Sequence, residues 1–315
     1  MGNNVVGAES IQVLVQKKRG FWKDFITRLV REKPLGLVGA IIFLVFLFTG
    51  IFADFLAPYG FNDINPVLYL KPPSPEHWLG TDNLGRDLFS RVIYGARVSV
   101  IVGFSATLFS IVISIILGMA SGFFGGAIDM AIQRFVDAWM CFPGLIILIV
   151  AISITGPGMW QVIIVLGLQY GIAGSRIIRG TVISVKQNVY IFAARTFGAS
   201  NLRLLVKHIL PNIMAPIIVL FSIRIAAVIL VEATLSFLGL GVPPPEPSWG
   251  AMLSTHGRTY MTQAPLLGIV PGLALAMVVF GINVFGDAVR DLLDPRLRGG
   301  IGSYSVRKKA RADQE

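Results

Sequence analysis

The sequence predicts an all-α integral membrane protein with six transmembrane helices and both termini in the cytoplasm. Hydrophobic residues make up 54% of the chain and charged residues only 14%, against roughly 25% charged in a soluble domain. Mean hydropathy is +0.73. Six apolar runs approach the roughly 20 residues a helix needs to cross the hydrocarbon core. Basic residues fall overwhelmingly on one side of those runs.

Residues 1–34 read as a cytoplasmic tail. They contain no apolar core with a small-residue cleavage site, and 17–33 (KKRGFWKDFITRLVREK) is basic and amphipathic, suited to lie on the membrane surface. The spanning domain is expected over 35–288, followed by a second cytoplasmic tail at 289–315. Its apolar runs begin near Leu35, Val98, Ala138, Met159, Ile213 and Leu266, and end near Phe55, Ala120, Ile154, Ser175, Leu238 and Phe285. The third run is the shortest and contains Pro143, which a membrane helix tolerates as a kink. Thr155-Gly156-Pro157-Gly158 then reads as a tight turn. Cys141, the single cysteine, lies in that third run, so no disulfide forms within the chain; it reads as a small buried hydrophobe.

Orientation follows from the 27 Lys and Arg. With the N-terminus inside, the inner set runs from Lys17 to Lys33, through Arg134, Arg176, Arg179, Lys186, Arg195, Arg203 and Lys207, to the C-terminal group from Arg290 to Arg311. Lys71, Arg86, Arg91, Arg97 and Arg258 form the outer set, and the ratio is 21 to 5. Two basic termini on one side require an even number of spans. The net charge of +10 therefore marks the flanks of membrane spans and not a nucleic-acid surface.

The outer loops, 56–95 and 239–264, are rich in proline and aromatics and read as ordered lids or partner surfaces. In the first, Gly80, Thr81, Asp82, Gly85, Arg86 and Asp87 form a polar glycine turn without a P-loop ending. The expected role is structural, with Asp82, Arg86 and Asp87 satisfying one another or the backbone. Gly239 and Gly241, at the outer end of the fifth span, are candidates for a gate hinge or a simple helix stop. Arg134 and Asp137 can pair at i,i+3, and Arg290 with Asp294 at i,i+4. Arg224 and Glu232 lie inside the fifth span, where a charge must face a cavity or a partner. Their i,i+8 spacing separates them by about 12 Å along the axis, too far for direct pairing in a regular helix.

Residues 190–212 (YIFAARTFGASNLRLLVKHILPN) carry the most information. Ala193 and Ala194 belong to one short helix, Gly198 breaks it, and Ser200 caps a second helix that should end at the Leu210-Pro211 step. The segment resembles the "EAA" loop of permease subunits of bacterial ABC importers, with Phe192 where that motif often has glutamate. Residues 78–97, 231–253 and 281–298 extend the likeness to the permeases of dipeptide, oligopeptide and nickel ABC importers, specifically the shorter of the two partner permeases. The resemblance spans about residues 35–298.

That resemblance implies a type I importer permease fold in the bacterial inner membrane and half of a pathway for peptides, or for nickel or another small solute. It implies a second permease, two cytoplasmic ATPases carrying ATP and magnesium, and an extracytoplasmic binding protein. The coupling loop would occupy 186–212, with Phe192, Ala193, Ala194, Arg195, Gly198, Ala199, Ser200, His208 and Pro211 at the ATPase contact. A role there for the charges from Asp287 to Arg296 is also implied. Arg224 stands where related permeases carry a small residue, and either lines the path or pairs with the partner permease. The chain itself is expected to hold no cofactor or metal and not to be an enzyme: His77, His208 and His256 are scattered and no catalytic motif is present. An ATP-independent transporter or channel is the rival class, and the basic loop between spans favours the ATP-driven one.

Overall fold

The computed structural model describes residues 21–293, and every named element among them is helical. Helix α1 (Phe21–Glu32) is amphipathic; it buries Leu29 against Ala40, Ala288 and Leu292 and ties Arg28 to Glu32 one turn on. Pro34, whose fixed φ suits a first helical position, opens α2 (Pro34–Ile51). A short α3 (Ala53–Leu56) follows. There the Arg97 guanidinium hydrogen-bonds Asp54 and holds its carboxyl below the usual carboxylate range.

Helix α4 (Leu88–Phe124) has 37 residues, about 55 Å at 1.5 Å per residue, so it projects well beyond the bilayer core. The Asp87 side chain accepts from the Ser90 backbone N–H and starts the helix ten residues before the apolar run does. Arg91 and Arg97, expected in a loop, are therefore on its outer turns. Its most extensive partner is α7 (Met159–Lys186), which continues past the expected end at Ser175 and carries Arg176 and Arg179 on its inner turns.

The third span departs from expectation. Pro143 does not kink one helix; it separates α5 (Gly126–Met140) from α6 (Gly144–Thr155), whose axes differ by 87°. Proline lacks the N–H that would continue the ladder and pushes Phe142 away from the α region. With 12 residues, α6 is about 18 Å long and cannot cross alone. Among the described residues, five helical stretches are long and apolar enough to span, or six if this bent pair counts as one. Cys141 sits at the break and is exposed, not buried. Asp137 pairs with Arg134 at i,i+3 as expected, at 3.9 Å with Arg134 largely exposed, and also with Arg176 of α7.

After α8 (Val189–Thr196) the chain is helical without interruption from Asn201 to Phe237. The expected end at Pro211 does not occur. A π turn at Leu204–Ile209 and a 3₁₀ turn at Leu210–Ile213 pass directly into α9 (Met214–Phe237). The Leu210 N–H reaches back five residues to the Leu205 carbonyl. This change of register carries the helix past the donor that Pro211 lacks. The last helix, α10 (Leu266–Leu293), packs on α2 and α9 and runs beyond 288. The expected Arg290–Asp294 pair involves a residue outside the described range; Asp291 pairs with Lys33 at 2.5 Å.

Candidate functional site: the cytoplasmic lever and the charges above it

Helix α8 closes with a Schellman motif. The Gly198 N–H donates to the Arg195 carbonyl (2.9 Å) and the Ala199 N–H to Ala194 (3.1 Å), with Gly198 at φ 79°. Ser200 then accepts from the Arg203 N–H at 3.4 Å, capping the next helical turn as expected. Both sides of the turn are anchored: Ile191 and Leu204 are buried with Phe123, Ile178, Val182 and Ile209. The outer face is the reverse. Phe192 (57%) and Phe197 (90%) are strongly exposed beside Arg195, and Leu202 and Val206 lie beside Arg203 and Lys207. Ala193 and Pro211 are exposed, whereas Ala194, Ala199 and His208 are half-buried.

A cavity of about 290 Å³ separates α8 from the inner end of α4, lined by Gly125, Asp129, Lys186, Phe192 and Arg195. Lys186 donates to the Phe123 carbonyl at 2.5 Å, capping the end of α4. The Lys186 and Arg195 cations both lie over the Phe123 ring, at 5.6 and 5.9 Å. Asp129 is held by Arg179 (2.6 and 2.7 Å) and by the Ser121 hydroxyl. The inner ends of α4, α5 and α7 are thus joined around the cavity.

Within the membrane, Arg224 and Glu232 do not meet. Arg224 donates through Nη1 to Ser110 (3.3 Å) and Ser114 (3.2 Å) on α4. Glu232 is completely buried; Oε1 accepts from the Ser236 hydroxyl at 2.7 Å, and the Ser248 side chain also hydrogen-bonds the carboxyl group. At the outer end of α9, Gly239 (φ 79°) forms a second Schellman motif: its N–H donates to Ser236 and that of Leu240 to Leu235. Gly241 is packed against Ser236, where a Cβ would collide. In this conformation both glycines serve the end of the helix.

On the opposite face the polar glycine turn is a buried charge cluster. Asp82 accepts from the backbone N–H groups of Leu84 and Arg86, bonds Arg86 at 2.8 Å and lies 3.6 Å from Arg91. Asp87 accepts from Ser90 and lies 3.0 Å from His77 Nδ1. Sequence reading missed His77 and Arg91 here, because the ten-residue step from His77 to Asp87 follows no helix or strand period. It also missed Trp249, buried on α4 with its indole N–H on the Val92 carbonyl (3.0 Å).

The protein family described as "binding-protein-dependent transport system inner membrane component" matches residues 81–299, and the "N-terminal TM domain of oligopeptide transport permease C" matches 20–73. The chain is 39% identical over 277 residues to the dipeptide transport system permease protein of Alkalihalophilus pseudofirmus, covering 88% of this chain and 90% of the relative. It is 39% identical over 295 residues to the oligopeptide transport system permease protein of Bacillus subtilis, covering 94% and 95%. The glutathione transport system permease protein of Pectobacterium atrosepticum is 38% identical over 278 residues, with 88% and 92% covered. Among solved structures, an inward-facing MetNI methionine ABC transporter superposes with TM-score 0.51 at 18% identity, over 66% of this chain and 98% of that one. At that identity the likeness establishes the fold alone, which is the type I importer permease fold expected from the sequence. With most of its length matched, the chain is a multi-pass inner-membrane protein and belongs to the family of binding-protein-dependent transport system inner membrane components.

Proposed function

We propose that this permease carries peptides, and that it forms half of the pathway with a second, homologous permease above two cytoplasmic ATPases. ATP and magnesium are bound by those partner subunits, and an extracytoplasmic binding protein delivers the peptide. Residues 186–212 are the coupling loop, residues 35–288 supply the membrane pathway, and 1–34 and 289–315 are cytoplasmic flanks. The exposed apolar and basic face of α8 receives the ATPase. Phe192, Ala193 and Arg195 contact it directly, while Gly198, Ala199 and Ser200 fix the angle of the lever, with His208 and Pro211 at its base.

One observation carries this reading. The turn at Gly198 joins α8 to a stretch that is helical from Asn201 to Phe237. A displacement of α8 is therefore transmitted along one element into the membrane and not absorbed in a loop. The names of the relatives, three peptide-type permeases, support the substrate class.

The test is uptake of labelled dialanine into proteoliposomes holding the full complex, with ATP inside the ATPase-facing compartment. ATP-dependent accumulation is expected. Accumulation that follows an ion gradient without ATP would replace this reading with a secondary transporter, and ATP-driven uptake of nickel but no peptide would replace the substrate.

A further inference from the structure

Arg224 lies ten residues into α9, about 15 Å from its start and so near mid-membrane. It is 7% exposed, enclosed by α4, α7 and α9 of its own chain. Its site is built for a guanidinium. Ser110 and Ser114 are one turn apart on α4, and each gives its own proton to a backbone carbonyl: Ser110 to Thr107 (2.7 Å) and Ser114 to Gly171 (2.8 Å). Their oxygens are left as acceptors, and both receive Arg224 Nη1. On the other side Nη2 lies against Gly174 of α7, in space that a Cβ would fill.

The hydroxyls orient the cation but do not neutralise it. Among the described residues no carboxylate forms an ion pair with Arg224. Among the described residues Nε and Nη2 make no hydrogen bond, and neither atom is completely buried. Two neutral acceptors leave the guanidinium its full charge, and the group that its planar fork matches best is a bidentate carboxylate. A fixed partner acid would make the polarised serine pair superfluous. Two neutral acceptors suit a cation that is held ready between visits of a mobile anion, at a contact weak enough to release it.

We propose that Arg224 is a carboxylate receptor inside the translocation pathway, and that its ligand is the free C-terminal carboxylate of the transported peptide. This rests on the peptide-importer reading. Free-acid peptides then pass faster than their amides for a reason located in the permease, in addition to any selection by the binding protein.

The experiment compares ATP-driven uptake of dialanine and dialanine amide by the reconstituted full complex with wild-type permease, Arg224→Gln and Arg224→Lys, using one binding protein throughout. Selection by the binding protein is common to all three and cancels in the comparison of acid-to-amide ratios. The ratio is expected to fall about fivefold or more in Arg224→Gln and to be largely kept in Arg224→Lys, as for a coupling of ordinary size. An unchanged ratio in an assembled Arg224→Gln complex overturns the receptor role and leaves the peptide reading intact. Loss of assembly that an acid-to-neutral change on the partner permease restores also overturns it, and makes Arg224 an interface charge. A wild-type complex that carries neither peptide removes the peptide reading itself.

Discussion

Gly198 offers a clean perturbation because its surroundings are empty. Its φ is 79°, and among the described residues no heavy atom beyond its own chain neighbours lies within 4 Å of where a Cβ would stand. Substitution therefore strains the backbone without a clash. An L-residue in that region costs about 1–2 kcal/mol, which lowers the population of the observed turn roughly five- to thirtyfold. Asparagine tolerates positive φ better than alanine, and a β-branched residue tolerates it least. Ile191 and Leu204 anchor the two sides independently, so the strain should change the angle of α8 and not unfold the loop. The series Gly198→Asn, Gly198→Ala and Gly198→Val should then lose peptide uptake per ATP hydrolysed in that order, with assembly kept and the valine variant down several-fold. Uptake and ATPase activity measured on the same proteoliposomes give the ratio. Valine coupling as well as glycine, or asparagine failing while alanine works, would refute a lever set by backbone geometry.

Two further outcomes are expected. Asp82→Ala removes the carboxylate that offsets the buried Arg86 and Arg91 and should cost about 3–5 kcal/mol, since uncompensated buried charge remains; thermal melting of the purified complex reads this, and an unchanged midpoint argues against it. In a Cys141→Ser background, required because Cys141 is exposed, a membrane-impermeant thiol reagent should label a cysteine at Pro244 but not at Ala194 in spheroplasts; labelling at Ala194 would reverse the topology.

The caps were legible in the sequence because they are local. Gly198 and Ser200 announce a turn and a new helix within a few residues, and the structure has both. The apolar runs and their basic flanks were legible for the same reason: transfer into lipid is paid residue by residue along the chain. Pro143 and Pro211 show where local reading stops. Both residues lack the same N–H, yet one ends in an 87° break and the other in a continuous helix with a π turn. The difference lies in what surrounds them. Leu204, Ile209 and Ile213 are buried on α7 and hold the helix in line across Pro211, whereas Cys141 and Phe142, beside Pro143, are exposed.

Sequence by itself determined the solvent of this protein and the place of the turn at Gly198, both of which follow from composition and neighbours in the chain. Tertiary structure alone decided what each buried charge touches. Arg224 meets serines 110 and 114 positions away, and Arg179 meets Asp129 50 positions away. A charge inside a membrane must be compensated by whatever the packing of helices brings beside it, and no period along the chain encodes that neighbour.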